Sequence, residues 1–298
     1  ASGETTSPLL ANNFTTPVTY SDMLFGEWNV DKTTHFMTHT NQPIAIGILI
    51  SYLLMIQFGP KIMESRKAFD LQRALAMWNM ALFAYSALSL YLLIPEVVQT
   101  YNKGGVIRIL CYKDEAYTHS LYAWLYWMYV MSKGPELIDT VFLVLRKRPV
   151  IFMHWYHHSV TFILPALLYT QYLPWVRLGV VFNLYVHTIM YFYYGLRAMG
   201  IKTPRWVSKG ITLTQITQFA SMFFFLGVLI HKYVTDGPDE MRGCMANFDI
   251  MALGIFVVSS YLYLFCDYFY KTYVKNEQPT RLKKIDNSET EREKEKAL

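Results

Sequence analysis

Ile151-Phe-Met-His154-Trp-Tyr-His157-His158-Ser-Val-Thr-Phe-Ile-Leu-Pro-Ala-Leu-Leu-Tyr-Thr-Gln-Tyr172 reads as an apolar run with a histidine cluster set inside it. A stretch of about 20 apolar residues is long enough to cross the hydrocarbon core of a bilayer. Three imidazoles at that depth cost free energy unless something uses them, so the cluster is a candidate site from the outset.

The same length criterion picks out about seven spans: residues 43–58, 73–94, 119–145, 151–172, 175–196, 207–233 and 245–270. The chain is 53% hydrophobic and 16% charged over 298 residues, too apolar for an ordinary soluble domain. The fold class expected is an all-α polytopic membrane protein. Residues 1–42 form a hydrophilic N-terminal segment with no charged-then-apolar signal pattern. Residues 43–275 make up the membrane domain, and residues 276–298 are a charged tail without apolar periodicity, expected to be disordered.

Basic residues gather in alternate loops: Lys61, Arg66, Lys67 and Arg73; Arg146, Lys147 and Arg148; Arg197, Lys202, Arg205 and Lys209; then Lys271, Lys275, Arg281, Lys283 and Lys284. The intervening loops are poor in them, with Arg177 alone between the fourth and fifth spans. The positive-inside rule then puts the N-terminus in the lumen and the C-terminus in the cytosol, as an odd number of spans requires. Asn13-Phe14-Thr15 is a glycosylation acceptor pattern on the lumenal side, although such triplets also arise by chance. Cys111 and Cys244 fall in loops on the same oxidising side and are expected to pair as a disulfide; two free thiols are the alternative. Cys266 sits inside the last span as a small packing residue. Lys294 and Lys296, three and five places from the end, resemble a dilysine-type retrieval signal and point to the endoplasmic reticulum.

Polar residues interrupt four of the spans. Lys133, Glu136 and Asp139 recur at three-residue spacing; His154, His157 and His158 stand at i, i+3 and i+4; Asn183 and His187 at i, i+4, followed by Met190, Tyr191, Tyr193 and Tyr194; Thr212, Gln215 and Gln218 at three-residue spacing. Each set shares a helix face. With the topology above, all four fall within roughly 5 to 20 Å of the cytosolic ends of their helices. Polar groups in membranes face a bundle interior, so the expectation is a shared chamber opening to the cytosol. Arg146, Lys147, Arg148, Arg205 and Lys209 rim its mouth, which suits a phosphate-bearing substrate. Purely structural readings also exist: an ion pair around Lys133, and interhelical hydrogen bonds from the glutamines. His35 and His39 have metal-ligand spacing but lie before the first span on the lumenal side, where they cannot converge with His157.

In chain order, Lys133-Gly-Pro-Glu136-Leu-Ile-Asp139-Thr140, His154-Trp-Tyr-His157-His158, Asn183-Leu-Tyr-Val-His187-Thr-Ile-Met190-Tyr191-Phe-Tyr193-Tyr194 and Thr212-Leu-Thr-Gln215-Ile-Thr-Gln218 resemble the KxxExxD, HxxHH, NxxxHxxMYxYY and TxxQxxQ boxes of the very-long-chain fatty-acid elongase family. The resemblance covers residues 43–270 and includes Phe142-Leu-Val-Leu-Arg146-Lys147. It implies a 3-ketoacyl-CoA synthase that condenses a long-chain acyl-CoA with malonyl-CoA, releasing CoA and carbon dioxide. It also implies about seven helices, six of them forming two inverted three-helix units around a tunnel closed at the lumenal end. No cofactor beyond the CoA thioesters is implied. Membrane lipid and the other enzymes of the elongation cycle are the expected partners, a homodimer is admitted, and no nucleic acid is involved.

By that resemblance His157 is the acyl-accepting nucleophile and His158 its orienting or proton-handling partner, with His154 completing the box. His187 lies against the thioester or malonyl group, while Asn183 and Gln215 donate hydrogen bonds to the enolate that develops. Lys133, Glu136 and Asp139 hold the site electrostatically, and Tyr191, Tyr194 and Gln218 belong to the substrate-binding set. Arg146 and Lys147 sit at the CoA mouth. A di-iron membrane desaturase or hydroxylase is the alternative that also uses HxxHH, but of eight histidines only His154, His157, His158 and His187 share the expected level. A non-catalytic lipid-binding receptor or transporter would account for the spans and leave the histidines without a use.

Overall fold

The computed structural model describes residues 17–114, 120–240, 244 and 247–275. Asn13, His119, Lys294, Lys296 and the tail from residue 276 lie outside the described residues. Every regular element among the described residues is helical. Short helices α1 (Tyr20–Phe25) and α2 (Val30–His35) lead through a π-helical turn, Phe36–Asn41, into α3 (Gln42–Ile62). There follow α4 (Gln72–Cys111), α5 (Ser120–Glu136), α6 (Ile138–Leu145), α7 (Phe152–Leu168), α8 (Val176–Ala198), α9 (Arg205–Glu240) and α10 (Phe248–Phe269).

Four stretches, Val30–Ile62, Gln72–Cys111, Arg205–Gly237 and Asp249–Val274, are long and apolar enough to cross a membrane. Their outer faces present Ile46, Ile50, Leu54, Leu88, Phe224 and Phe256, all exposed. Water would penalise that surface, whereas lipid tails are as apolar as leucine. The chain is a multi-pass membrane protein.

Packing contacts trace a closed ring: α4 lies against α8, α8 against α9, α9 against α10, α10 against α7, α7 against α5 and α5 back against α4. Helix α3 lies outside it, on α7 and α6. Two local breaks shape the ring. Pro135 has no N–H for the carbonyl one turn earlier, so the stretch 120–145 is two helices rather than one. Tight bonds from Leu137 N to Gly134 O (3.0 Å) and from Thr140 N to Leu137 O (3.1 Å) carry the chain across the break. In α4 the kink falls at Gly104 and Gly105; Gly105 adopts φ 66° and ψ −158°, a region open essentially to glycine.

At the far end of the ring, Cys111 and Cys244 form a disulfide across a sequence separation of 133. Beside it Arg177 is fully buried rather than in a loop. Its Nη2 donates to the carbonyls of Tyr112 (3.0 Å) and Lys113 (2.6 Å), and its Nε lies 3.4 Å from Glu96 Oε1. Glu96 is also buried and accepts from Thr100 Oγ1 (3.0 Å) and Tyr126 OH (3.1 Å). The N-terminal segment packs on this part of the bundle, where Phe36 and Met37 are buried against Trp127, Val130 and Tyr169. A capping box starts α1: Asp22 N bonds Thr19 Oγ1, and Asp22 accepts from the Thr19 backbone and hydroxyl, which holds its carboxyl below the usual range.

Candidate active site

Helix α7 turns His154, His157 and His158 onto one face. The rings of His154 and His158 lie 4.3 Å apart and those of His157 and His158 5.6 Å apart. Each of the three is partly buried. The Thr161 hydroxyl bonds the His157 carbonyl at 2.7 Å and takes up a backbone acceptor inside the helix. The His157 ring rests against Tyr261, at 5.0 Å between centroids, and makes no hydrogen bond to any described residue. Its nitrogens are therefore open to a ligand. His154 differs, because its Nε2 lies 2.9 Å from Thr140 Oγ1.

A second network forms where the Pro135 break delivers Lys133 and Glu136 to α8. Lys133 is 3% exposed, and its ammonium donates to Glu136 Oε1 (2.7 Å) and Asn183 Oδ1 (3.0 Å). Tyr129 OH donates to the same Oδ1 at 3.1 Å, and the ammonium lies 4.4 Å from the Tyr129 ring centroid. An ammonium can only donate, so Asn183 must turn its oxygen toward Lys133 and its Nδ2 toward His187. That nitrogen is 3.1 Å from His187 Nε2, which has to accept. His187 thus carries its proton on Nδ1, which faces Glu136 Oε1 at 3.6 Å. Lysine, carboxylate, imidazole and amide close one loop, and desolvation strengthens every contact in it.

Asp139 stands apart from that loop. It accepts from Trp78 Nε1 (2.7 Å) and Tyr191 OH (3.0 Å), and the Tyr191 ring meets the His187 ring edge-on at 5.2 Å. Gln215 Nε2 contacts Met190 Sδ at 3.4 Å, whereas Gln218 lines a cavity. Tyr194 packs on Tyr193 and is 47% exposed. Arg146 and Lys147 follow the end of α6, where the Lys147 ammonium donates to the carbonyls of Glu64 (3.1 Å) and Arg66 (3.0 Å). Lys147 therefore ties two loops together at the basic end.

The cavity encloses about 230 Å³ inside the helix ring. His157, Asn183, Gln218 and Tyr129 line one part of it, and Leu164, Leu168, Trp175, Val176, Met222 and Leu253 another. Counting helical rise from His157 to Leu168, its wall runs about 16 Å along α7. Polar groups are thus gathered at one end of a long apolar space. Trp175 closes against Gly254, where any Cβ would meet the indole at 2.7 Å. No group of three His, Cys, Asp or Glu side chains among the described residues is placed to hold a metal ion.

Sequence patterns alone missed Trp78, Tyr52, Tyr129 and Ser132, single polar atoms in apolar helices without a spacing signature. Glu96 and Arg177 left a stronger trace, since each is a charge beside an otherwise apolar run.

The model of the ELO family, described as the GNS1/SUR4 family, matches residues 37–281. Among curated proteins, "Long chain fatty acid elongase 2" of Caenorhabditis elegans is 42% identical over 266 residues, covering 89% of this chain and 96% of the relative. "Very long chain fatty acid elongase 6" of Drosophila melanogaster is 34% identical, with 75% of this chain and 70% of the relative covered. "Very long chain fatty acid elongase 3" of Homo sapiens is 32% identical, with 79% and 83% covered.

Proposed function

Since this chain belongs to the ELO family and is an enzyme of fatty-acid elongation, we propose that it is a 3-ketoacyl-CoA synthase working through an acyl-histidine. The observation that carries the proposal is the position of His157, unbonded, where the polar network meets the apolar cavity.

In the first half-reaction an imidazole nitrogen of His157 attacks the thioester carbonyl of a long-chain acyl-CoA. The carbon–sulfur bond breaks and the imidazole N–H proton passes to the departing thiolate, so CoA leaves as the free thiol and a neutral acyl-imidazole remains. His158, the imidazole beside it with its ring 5.6 Å from that of His157, relays the proton. In the second half, malonyl-CoA loses carbon dioxide and its enolate carbon attacks the acyl-imidazole. The carbon–nitrogen bond breaks, His157 regains a proton from the medium, and 3-ketoacyl-CoA departs two carbons longer. The Lys133, Asn183 and His187 network supplies fixed positive charge and dipoles beside the enolate oxygen. Gln215 is a further donor within this level.

The apolar part of the cavity receives the acyl chain. The helix ring is read as two inverted three-helix units around this tunnel, with α3 as the outer, remaining helix of about seven. The disulfide end lies in the lumen of the endoplasmic reticulum with the N-terminus, Asn13 included. The basic end, where Arg146 and Lys147 meet the CoA phosphates, lies in the cytosol, and so do Lys294 and Lys296, which serve as a retrieval signal. Other enzymes of the elongation cycle and a second copy of the chain are the expected partners.

The test gives the purified protein a panel of acyl-CoAs with malonyl-CoA and a chelator, and looks for 3-ketoacyl-CoA by mass spectrometry. The proposal expects products extended by two carbons. Absence of product from a folded, ligand-stabilised preparation would overturn it.

A further inference from the structure

Thr140 is completely buried at the start of α6, and its hydroxyl lies between two other groups. Tyr52 OH, reaching in from the outer helix α3, is 2.8 Å away, and His154 Nε2 is 2.9 Å away. A threonine hydroxyl has one proton to give. Were it given to Tyr52, the Tyr52 hydroxyl would have no acceptor of its own. Tyr52 is only 5% exposed and bonds to no other described residue, so its donor would be stranded at a cost of about 1–3 kcal/mol. If Tyr52 donates to Thr140 and Thr140 donates to His154, both hydroxyl protons are used and Nε2 accepts.

We infer that Tyr52 and Thr140 are positioning residues that hold His154 as a neutral imidazole with its proton on Nδ1. The inference rests on the elongase reading for its use and on geometry alone for the tautomer. The Nε2 lone pair of His154 is committed to Thr140, as that of His187 is committed to Asn183. Two of the four histidines are thereby fixed as Nδ1–H donors. His157 and His158, whose ring nitrogens bond no described residue, are left to change protonation during acyl transfer. The outer helix α3 therefore reaches the catalytic box through the Tyr52 phenol.

The test has two arms. Nitrogen-15 spectra of histidine-labelled protein in nanodiscs, assigned by difference with His154→Gln, report which His154 nitrogen carries the proton. Wild type is expected to show a protonated Nδ1 and a hydrogen-bonded, unprotonated Nε2, and Thr140→Val to lose that preference. In the condensation assay Thr140→Val should lower kcat roughly 10–100-fold, the loss typical when the hydrogen-bond partner orienting a metal-bound imidazole is removed, with KM for acyl-CoA within about twofold. Thr140→Ser should restore most of the rate, and Tyr52→Phe should fall between the two. Should Thr140→Val fail to fold, the Thr140→Ser and Tyr52→Phe spectra carry the same comparison. A wild-type His154 protonated on Nε2, or a folded Thr140→Val with unchanged kcat, would overturn the inference. A wild type that makes no 3-ketoacyl-CoA would defeat the elongase reading while leaving the tautomer result standing.

Discussion

Gly179→Leu should shorten the acyl chain that the cavity accepts. Gly179 lines the cavity one helical turn beyond Asn183, about 6 Å further from the polar end. Trp175 closes the wall about another 6 Å along the same direction. An all-trans chain advances roughly 1.2 Å per bond, since three bonds of extended polypeptide cover about 3.6 Å. A side chain filling the cavity at Gly179 therefore removes room for about five carbons. The variant should fold, because a Cβ there meets only the Met222 Cε and Sδ at 3.5 and 3.6 Å, ordinary contact with a flexible thioether. Replacing a mid-helix glycine also recovers about 0.5–1 kcal/mol of backbone entropy. The assay is kcat/KM across saturated acyl-CoAs of increasing length. The optimum should move down by about four to six carbons, with the shorter substrates near wild-type rates. An unmoved optimum in a folded variant would show that the chain does not pass Gly179, and the assignment of the cavity would fail.

Opening the same wall should act in reverse: Trp175→Ala should admit longer substrates in the same assay, while costing about 3–5 kcal/mol of stability in thermal unfolding. Lys133→Met leaves Glu136 charged and buried without its cation, so a loss of about 3–5 kcal/mol is expected; adding Glu136→Gln should recover part of it in a double-mutant cycle. Arg177→Met should destabilise by a similar amount through Glu96, yet leave KM for malonyl-CoA within about twofold, because the pair is remote from the histidines. Cys111→Ser and Cys244→Ser should each lower stability by about 2–4 kcal/mol, and together no further; an additive double variant would refute the bond between them.

Much of the site was legible because membrane helices make polar residues conspicuous. The i, i+3, i+4 spacing of His154, His157 and His158 and the i, i+4 spacing of Asn183 and His187 each name one helix face, and the structure turns those faces inward. The ends of elements were harder. Hydropathy falls after residue 94, yet the helix continues to the break at Gly104, with Glu96 accepting from Thr100 and paired with Arg177 within the bundle. The break at Pro135 was visible as a proline but not as the hinge that presents Lys133 to Asn183. Partners from distant helices left no local mark: Trp78 on Asp139 and Tyr52 on Thr140 are apolar side chains with one polar atom each. In the other direction, Tyr194 belongs to a legible motif, but its side chain is half-exposed and packs on Tyr193.

The most direct test of the account withholds malonyl-CoA. Purified protein is mixed with a long-chain acyl-CoA alone, free CoA is quantified, and the intact protein is weighed and then mapped by peptide fragmentation. The account predicts one equivalent of CoA released, a mass gain equal to the acyl group on the peptide carrying His157, and loss of that mass with formation of 3-ketoacyl-CoA when malonyl-CoA is added. Product formed only when both substrates are present, with no acylated protein and no early CoA, would contradict it, as would a His157→Ala protein that condenses at the wild-type rate.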